Sequence, residues 1–222
     1  MKRSRLAAVL FLLLAAAAWS ETGAAYYSLS DFLSRSFADP NAGLTVFPTL
    51  LIPMGGRYEG MGTAYTAVAL DSGYLEANPA ASSVMQRGEL AFLHHSWISD
   101  SNLEGVVYTV RFNNLGFGLG GKFLYVPFTE FNDWGAREAR GYFSESVATV
   151  NLSYNLFPSY SFHGLAVGIN LKAAYRGVPS SIYPDQSALT AMADIGLLTR
   201  FNLLKFYMAR DKNFSVGLAL KN

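Results

Sequence analysis

The chain has 222 residues, with 17 Lys and Arg against 16 Asp and Glu for a formal net charge of +1, and is 51% hydrophobic but only 15% charged. Soluble domains carry about 25% charged residues, so this chain has too little charge to solvate an ordinary globule of its apolar content. Balanced charge gives no basic face for nucleic acid, and the absence of cysteine excludes a disulfide scaffold, a Cys-ligated metal and a thiol nucleophile.

Lys2, Arg3 and Arg5 precede an unbroken apolar run over 6–19, which ends beside the small residues Ala18 and Ser20. That is the pattern of a cleaved secretory signal peptide over residues 1–20. The run is shorter than the roughly 20 apolar residues a spanning helix needs. Its removal takes away three basic charges and leaves 14 basic against 16 acidic residues, a net −2.

Residues 28–37 place Leu29, Phe32, Leu33 and Phe37 at helical spacing, which predicts a short amphipathic helix ending before Asp39 and Pro40. Residues 55–81 are dense in Gly and Ala, with a turn signal at Asn78-Pro79. Small residues let backbones approach closely, as a segment lodged inside something else must.

After Arg87 the pattern turns to period two, and seven strands are predicted at 89–98, 105–112, 115–126, 147–156, 164–176, 189–201 and 214–221. In the fifth, Leu165, Val167, Ile169, Leu171, Ala173 and Tyr175 alternate with Ala166, Gly168, Asn170, Lys172, Ala174 and Arg176. Runs of about 8 to 13 residues exceed the usual globular strand of about 5 to 6 and suit the roughly 9 to 11 that cross a bilayer at a tilt. A soluble sandwich also alternates. The completeness of the apolar face, with Tyr and Phe near strand ends, favours a membrane barrel. Connections at 113–114 and 211–213 are tight, and those at 127–141 and 177–188 are long, as in outer-membrane barrels. The fold expected is therefore all-β: an antiparallel transmembrane β-barrel, partial with about seven strands over 89–222, behind an N-terminal hatch over 21–88 that contains a short helix.

Gly116, Gly118 and Gly121 match the dinucleotide G-x-G-x-x-G spacing, but a strand continues where that site needs a helix, so the glycines are expected to flatten an inward face. His94 and His95 are adjacent, face opposite sides of a strand and cannot share a metal. A His with Ser96 and Asp100 would supply the residue types of a hydrolase triad, whose geometry spacing does not reveal. The stretch from Phe128 to Arg140 gathers Glu130, Asp133, Arg137, Glu138 and Arg140 around Phe131 and Trp134, and is expected as a solvated loop, with a partner-binding lid as the alternative. Lys172, Arg176, Asp194 and Arg200 are expected to line the lumen, because ionisable groups at membrane depth face water or one another.

Four blocks carry a family resemblance. They are Gly55-Gly56-Arg57, the run from Gly60-Met61-Gly62-Thr63 through Ala69, Asp71-Ser72-Gly73, and Asn78-Pro79-Ala80. Together they resemble the N-terminal signature of the FadL-type outer-membrane transport proteins, especially an uncharacterised spirochaetal branch and secretion-system barrels such as PorV. The family pattern has Gly at Thr63, Asp at Ser72 and Gly at Ala81. The resemblance implies a fourteen-stranded barrel with an internal hatch, to which Gly60, Met61, Gly62, Asn78 and Pro79 belong, and passage of hydrophobic solutes such as long-chain fatty acids.

Seven strands do not complete that barrel, since single-chain bacterial barrels use even numbers from eight upward. The expectation is thus the N-terminal part of a longer outer-membrane protein, not an enzyme, with no cofactor or metal. Its expected partners are outer-membrane lipid, a hydrophobic small-molecule ligand or a protein partner, and not nucleic acid. The alternatives are a secretion-system assembly protein of the same architecture and an outer-membrane hydrolase.

Overall fold

The computed structural model describes residues 47–98, 100–158, 162–179, 187–204 and 212–221. The expected signal peptide and the helix at 28–37 lie outside the described residues.

Seven antiparallel strands follow one another in space as they do in sequence. They are β1 (Glu89–Ser96), β2 (Asn102–Phe112), β3 (Leu115–Phe131), β4 (Arg137–Leu156), β5 (Phe162–Gly177), β6 (Ala188–Phe201) and β7 (Phe214–Leu220). The sheet curls into a half-barrel with β1 and β7 at its edges. Its faces follow from the period-two pattern. In β4 the residues from Glu145 to Asn155 at odd positions are buried on the concave face, while Val150, Leu152 and Tyr154 are exposed on the other.

Phe128 to Arg140 is not a loop. β3 continues to Phe131 and β4 starts at Arg137, paired through Phe128↔Gly141 and Thr129↔Arg140. A five-residue turn joins them, held by Asn132, whose side-chain oxygen accepts from the backbone N–H of Trp134 at 3.1 Å and of Ala136 at 2.9 Å. Gly135 supplies the left-handed φ of 76° that the turn needs. β2 leaves β3 after Tyr125 and β5 leaves β4 at Ser144, so residues 126–143 project as a two-stranded ribbon. One face carries Val126, Phe128, Gly141 and Phe143 with Glu130 among them and the other Thr129, Arg140 and Tyr142, and the charges gathered over 130–140 are why periodicity alone reads the stretch as loop.

Residues 47–88 lie in the concavity. They form a 3-10 turn (Pro48–Leu50), α1 (Gly56–Gly60), α2 (Tyr74–Ala77) and a 3-10 helix (Pro79–Val84). Asn78 starts the last of these, its Oδ1 accepting from the Ala80 N–H at 3.1 Å, with Pro79 at the first helical position. The core sits between this inner segment and the sheet. Tyr58, Tyr65, Tyr74, Leu75 and Val84 pack with Val107, Ala166 and Leu198, and Ile52 and Met54 with Leu103 and Leu124. Each of the Leu, Val, Ile and Met side chains contributes about 1.5–3 kcal/mol by leaving water.

Candidate functional site

The contact between the inner segment and the concave wall is organised by one row of the sheet. Register aligns Thr109, Gly118, Asn151, Asn170 and Asp194 across five successive strands. Every side chain in the row is buried. Thr109 Oγ1 donates to Tyr74 Oη at 3.0 Å. Asn151 Nδ2 donates to the Pro79 carbonyl at 2.9 Å and to Asn170 Oδ1 at 2.7 Å. Asn170 Nδ2 in turn donates to the Leu75 carbonyl at 2.8 Å and to Asp194 Oδ2 at 3.2 Å. The wall thus supplies donors to carbonyls that a short irregular segment leaves without helical or sheet partners.

Charged pairs flank the row. Lys172 Nζ lies 2.6 Å from Asp194 Oδ2. Glu145, buried on β4, accepts from Arg176 through Nε at 2.9 Å and the terminal nitrogen at 2.6 Å, and from the Thr49 backbone N–H at 3.0 Å. Lys122 donates to Glu76 Oε1 at 2.6 Å and to the Ile52 carbonyl at 2.7 Å, while Glu76 Oε2 accepts from the Met54 N–H at 2.9 Å. Two wall charges therefore clamp the segment near Thr49 and near Ile52 to Met54. Burial makes such pairs sensitive to loss of either member.

The wall also makes room. A methyl group added at Gly116 would overlap the backbone of Ser82 and Ser83, at Gly118 the Tyr74 hydroxyl, at Gly120 the Leu75 side chain, and at Gly168 the Pro79 carbonyl. Gly196 lies against Asn78 in the same way and Gly217 against Thr66. Of the three glycines that imitate a nucleotide motif, Gly116 and Gly118 seat the inner segment, whereas Gly121 lies on the other face against Val106. A cavity of about 280 Å³ remains between segment and wall, lined by Met54, Leu75, Val107 and Val147 with Lys122 and Lys172.

Of the expected lumen-lining residues, Lys172, Arg176 and Asp194 face the concavity in the pairs above. Arg200 lies apart from them, bordering an opening with Arg87, Arg111, His163 and Lys212. Of the expected hatch residues, Asn78 and Pro79 sit at the centre of the contact. Gly60, which ends α1, and Met61 and Gly62 after it belong to the same inner segment and are exposed. There Thr63, standing where the resembled family has Gly, holds φ at 65°. Sequence reasoning did not single out Glu145, Lys122, Glu76 or the Asn151–Asn170 pair. The polar members of the inward alternation in β4 and β5 were the available signal.

His94 and His95 face opposite sides of β1. His94 Nδ1 lies 2.7 Å from Glu104 Oε1, and His95 Nδ1 lies 3.4 Å from Glu59 Oε1. The acid beside His94 is therefore Glu104, not Asp100.

Over residues 25–222 the chain matches the model of an uncharacterised protein family, UPF0164. The chain belongs to the UPF0164 family. It is 35% identical over 188 residues to a UPF0164 protein of Treponema pallidum (strain Nichols), across 79% of this chain and 42% of that relative. A second UPF0164 protein of the same organism is 31% identical over 185 residues, with 77% and 51% covered. A third is 30% identical over 181 residues, with 77% and 42% covered. The chain thus spans about half or less of the length of these relatives. No solved structure matches it. An uncharacterised spirochaetal family is what the sequence blocks led one to expect.

Proposed function

We propose that this UPF0164 chain is part of an exported outer-membrane barrel of FadL type, in which residues 47–88 act as a plug and hydrophobic solutes such as long-chain fatty acids pass once the plug yields. The observation that carries the reading is the apolar convex face of the sheet, set against a concave face that mixes Leu103, Val107 and Leu198 with polar residues. The convex face exposes Phe92, Tyr108, Leu152, Leu171, Leu197 and Leu218, with Phe92 77% accessible, while Asn, Ser, Lys, Glu and Asp are buried on the concave face. Water penalises so continuous an apolar surface, whereas lipid solvates it. Polar contacts such as those of Asn151, Asn170 and Lys122 supplement the apolar packing of the inner segment, and such contacts can be exchanged for water when a part moves.

A cysteine-free chain makes the test clean. Ser82 Oγ and Ser153 Oγ are 2.6 Å apart across the contact, so Ser82→Cys with Ser153→Cys places two thiols at disulfide range. In vesicles, the oxidised double variant is expected to block entry of a labelled fatty acid, and reduction to restore it. Equal entry in both states, or none at all in the unmodified protein, overturns the transport reading.

The ribbon at 126–143 favours a second reading, a binding or assembly protein of the same architecture. Trp134 is 92% accessible at its turn, and Phe131 is exposed beside it. Such rigidly mounted aromatics suit a protein partner. Shortening the ribbon would then abolish partner capture and leave solute entry unchanged.

A further inference from the structure

We propose that Ser96, His94 and Glu104 form a hydrolytic triad on the convex face of the half-barrel, and that its substrate is the carboxylic ester of a membrane lipid. The residues meet because of register. His94 and Ser96 are two apart in β1 and share a face, and Glu104 lies directly opposite His94 in β2. His94 Nδ1 is 2.7 Å from Glu104 Oε1, and Ser96 Oγ is 3.3 Å from His94 Nε2. A carboxylate on Nδ1 holds the proton there and leaves the Nε2 lone pair directed at the serine hydroxyl, the relation of nucleophile, base and orienting acid that activates a serine.

The surroundings identify the substrate class. The three side chains are polar and accessible, His94 at 61% and Glu104 at 53%, on a face otherwise made of Leu90, Phe92, Val106, Tyr108 and Phe123. An open groove of about 600 Å³ has His94 and Glu104 on its lining, together with Phe92, Val106, Phe123 and Ala148 and the polar Lys122 and Ser146. Along β1 the convex face runs Leu90, Phe92, His94, Ser96, from apolar to polar. In a bilayer that order lays an acyl chain against the phenylalanines and brings the ester, at the boundary of hydrocarbon and headgroup, to the level of Ser96. The Trp97 N–H donates to the Ser101 carbonyl at 2.8 Å, towards β2. Antiparallel alternation therefore turns the Ser96 N–H to the open edge of β1, where, with no further strand among the described residues paired beside this last residue of β1, it can donate to an oxyanion.

The reaction balances with water alone as co-reactant. Ser96 Oγ bonds to the ester carbonyl carbon as its proton passes to His94 Nε2. The bond from that carbon to the alkoxy oxygen breaks, and the departing oxygen takes the proton from the imidazolium. Water, deprotonated by His94, then attacks the acyl-serine, releasing a carboxylic acid and restoring the Ser96 hydroxyl. Ser96 and His94 are catalytic residues and Glu104 is a positioning residue. The choice of lipid as substrate rests on the membrane reading above, whereas the reactivity of Ser96 does not.

The test uses the unmodified chain in detergent and in phosphatidylcholine vesicles. A fluorophosphonate probe is expected to label Ser96 in detergent, located by mass spectrometry of the labelled peptide, and Ser96→Ala to lose the label. In vesicles, release of fatty acid is expected to fall by roughly 10²–10⁴-fold in Ser96→Ala and in His94→Ala. Glu104→Asp should recover part of the rate that Glu104→Gln loses, which a merely structural carboxylate would not do. Absence of labelling at Ser96 in folded protein overturns the triad even where the protein resists carbonate extraction from membranes. Labelling without fatty-acid release from vesicles overturns the lipid substrate. Extraction by carbonate instead condemns the membrane reading itself.

Discussion

Asn151 and Asn170 face one another directly across β4 and β5, and each directs one amide hydrogen to a carbonyl of the inner segment, Pro79 and Leu75 respectively. The remaining hydrogen of Asn151 goes to Asn170 and that of Asn170 to Asp194, so the row acts as one network. Breaking it at Asn151 leaves the Pro79 carbonyl and Ser82 hydroxyl buried without this partner, at about 1–3 kcal/mol for each unsatisfied group. Asn151→Leu is expected to speed hydrogen exchange at residues 74–84 by more than tenfold while β-sheet circular dichroism is retained. Unchanged exchange there would show that the row does not hold the segment.

The glycines of β3 make a sharper comparison, because two of them lie close in sequence and on opposite faces. A Cβ at Gly118 would overlap the Tyr74 hydroxyl, whereas one at Gly121 meets only Val106 at an ordinary 3.8 Å. Gly118→Ala is expected to destabilise by about 1–3 kcal/mol through overpacking, and Gly121→Ala to be neutral or slightly stabilising. Denaturant unfolding of the two variants in the same detergent reads the difference directly.

These contrasts also separate what the sequence made legible from what it did not. Alternation in β4 and β5 put Asn170, Lys172 and Arg176 on the polar face, because one misplaced residue would have exposed the whole apolar set. The dense small residues of the inner segment and the alternate glycines of β3 pointed to close backbone approach. Which charge meets which was not legible. Glu145 finds Arg176, and His94 finds Glu104 rather than Asp100, through cross-strand register, which no spacing within a single strand encodes. The ribbon beyond Val126 was hidden for a different reason: Glu130, Asp133, Arg137, Glu138 and Arg140 gather towards its tip and interrupt the alternation there.

Thr63 offers a prediction in the opposite direction. A β-branched residue at φ 65° is strained, and glycine adopts that conformation without penalty. Its exposed side chain gives up little when removed. Thr63→Gly is therefore expected to stabilise the inner segment by about 1 kcal/mol, read as slower proteolysis at the loop. Faster proteolysis would mean the threonine makes contacts that outweigh its strain.

Tyr74 gives the segment a dependence on base. Burial pushes its hydroxyl from 10.0 up to about 12, with the Glu89 carboxylate adding to the rise and the hydrogen bond from Thr109 opposing it. A folded-state value above the unfolded one contributes stability that is fully present below pH 10.0 and is lost as pH rises through about 12. Phenolate absorbance of the parent minus that of Tyr74→Phe should isolate one group titrating near 12. A difference curve centred at the ordinary tyrosine value would contradict the burial.

Lys122 and Glu76 test whether the charged clamp acts as a unit. Lys122 is buried on β3 and meets Glu76 at 2.6 Å, and both also bind the 52–54 backbone, through the Ile52 carbonyl and the Met54 N–H. Removing one partner leaves the other charge in a site built for two, which costs about 3–5 kcal/mol, whereas removing both deletes the charges together. Lys122→Met and Glu76→Gln should each be strongly destabilising, and the double variant should lose less than the sum of the two. That shortfall, measured by denaturant unfolding as a double-mutant cycle, is the coupling. Simple additivity would mean that the two residues hold the segment independently, with Ile52 and Met54 as their principal partners.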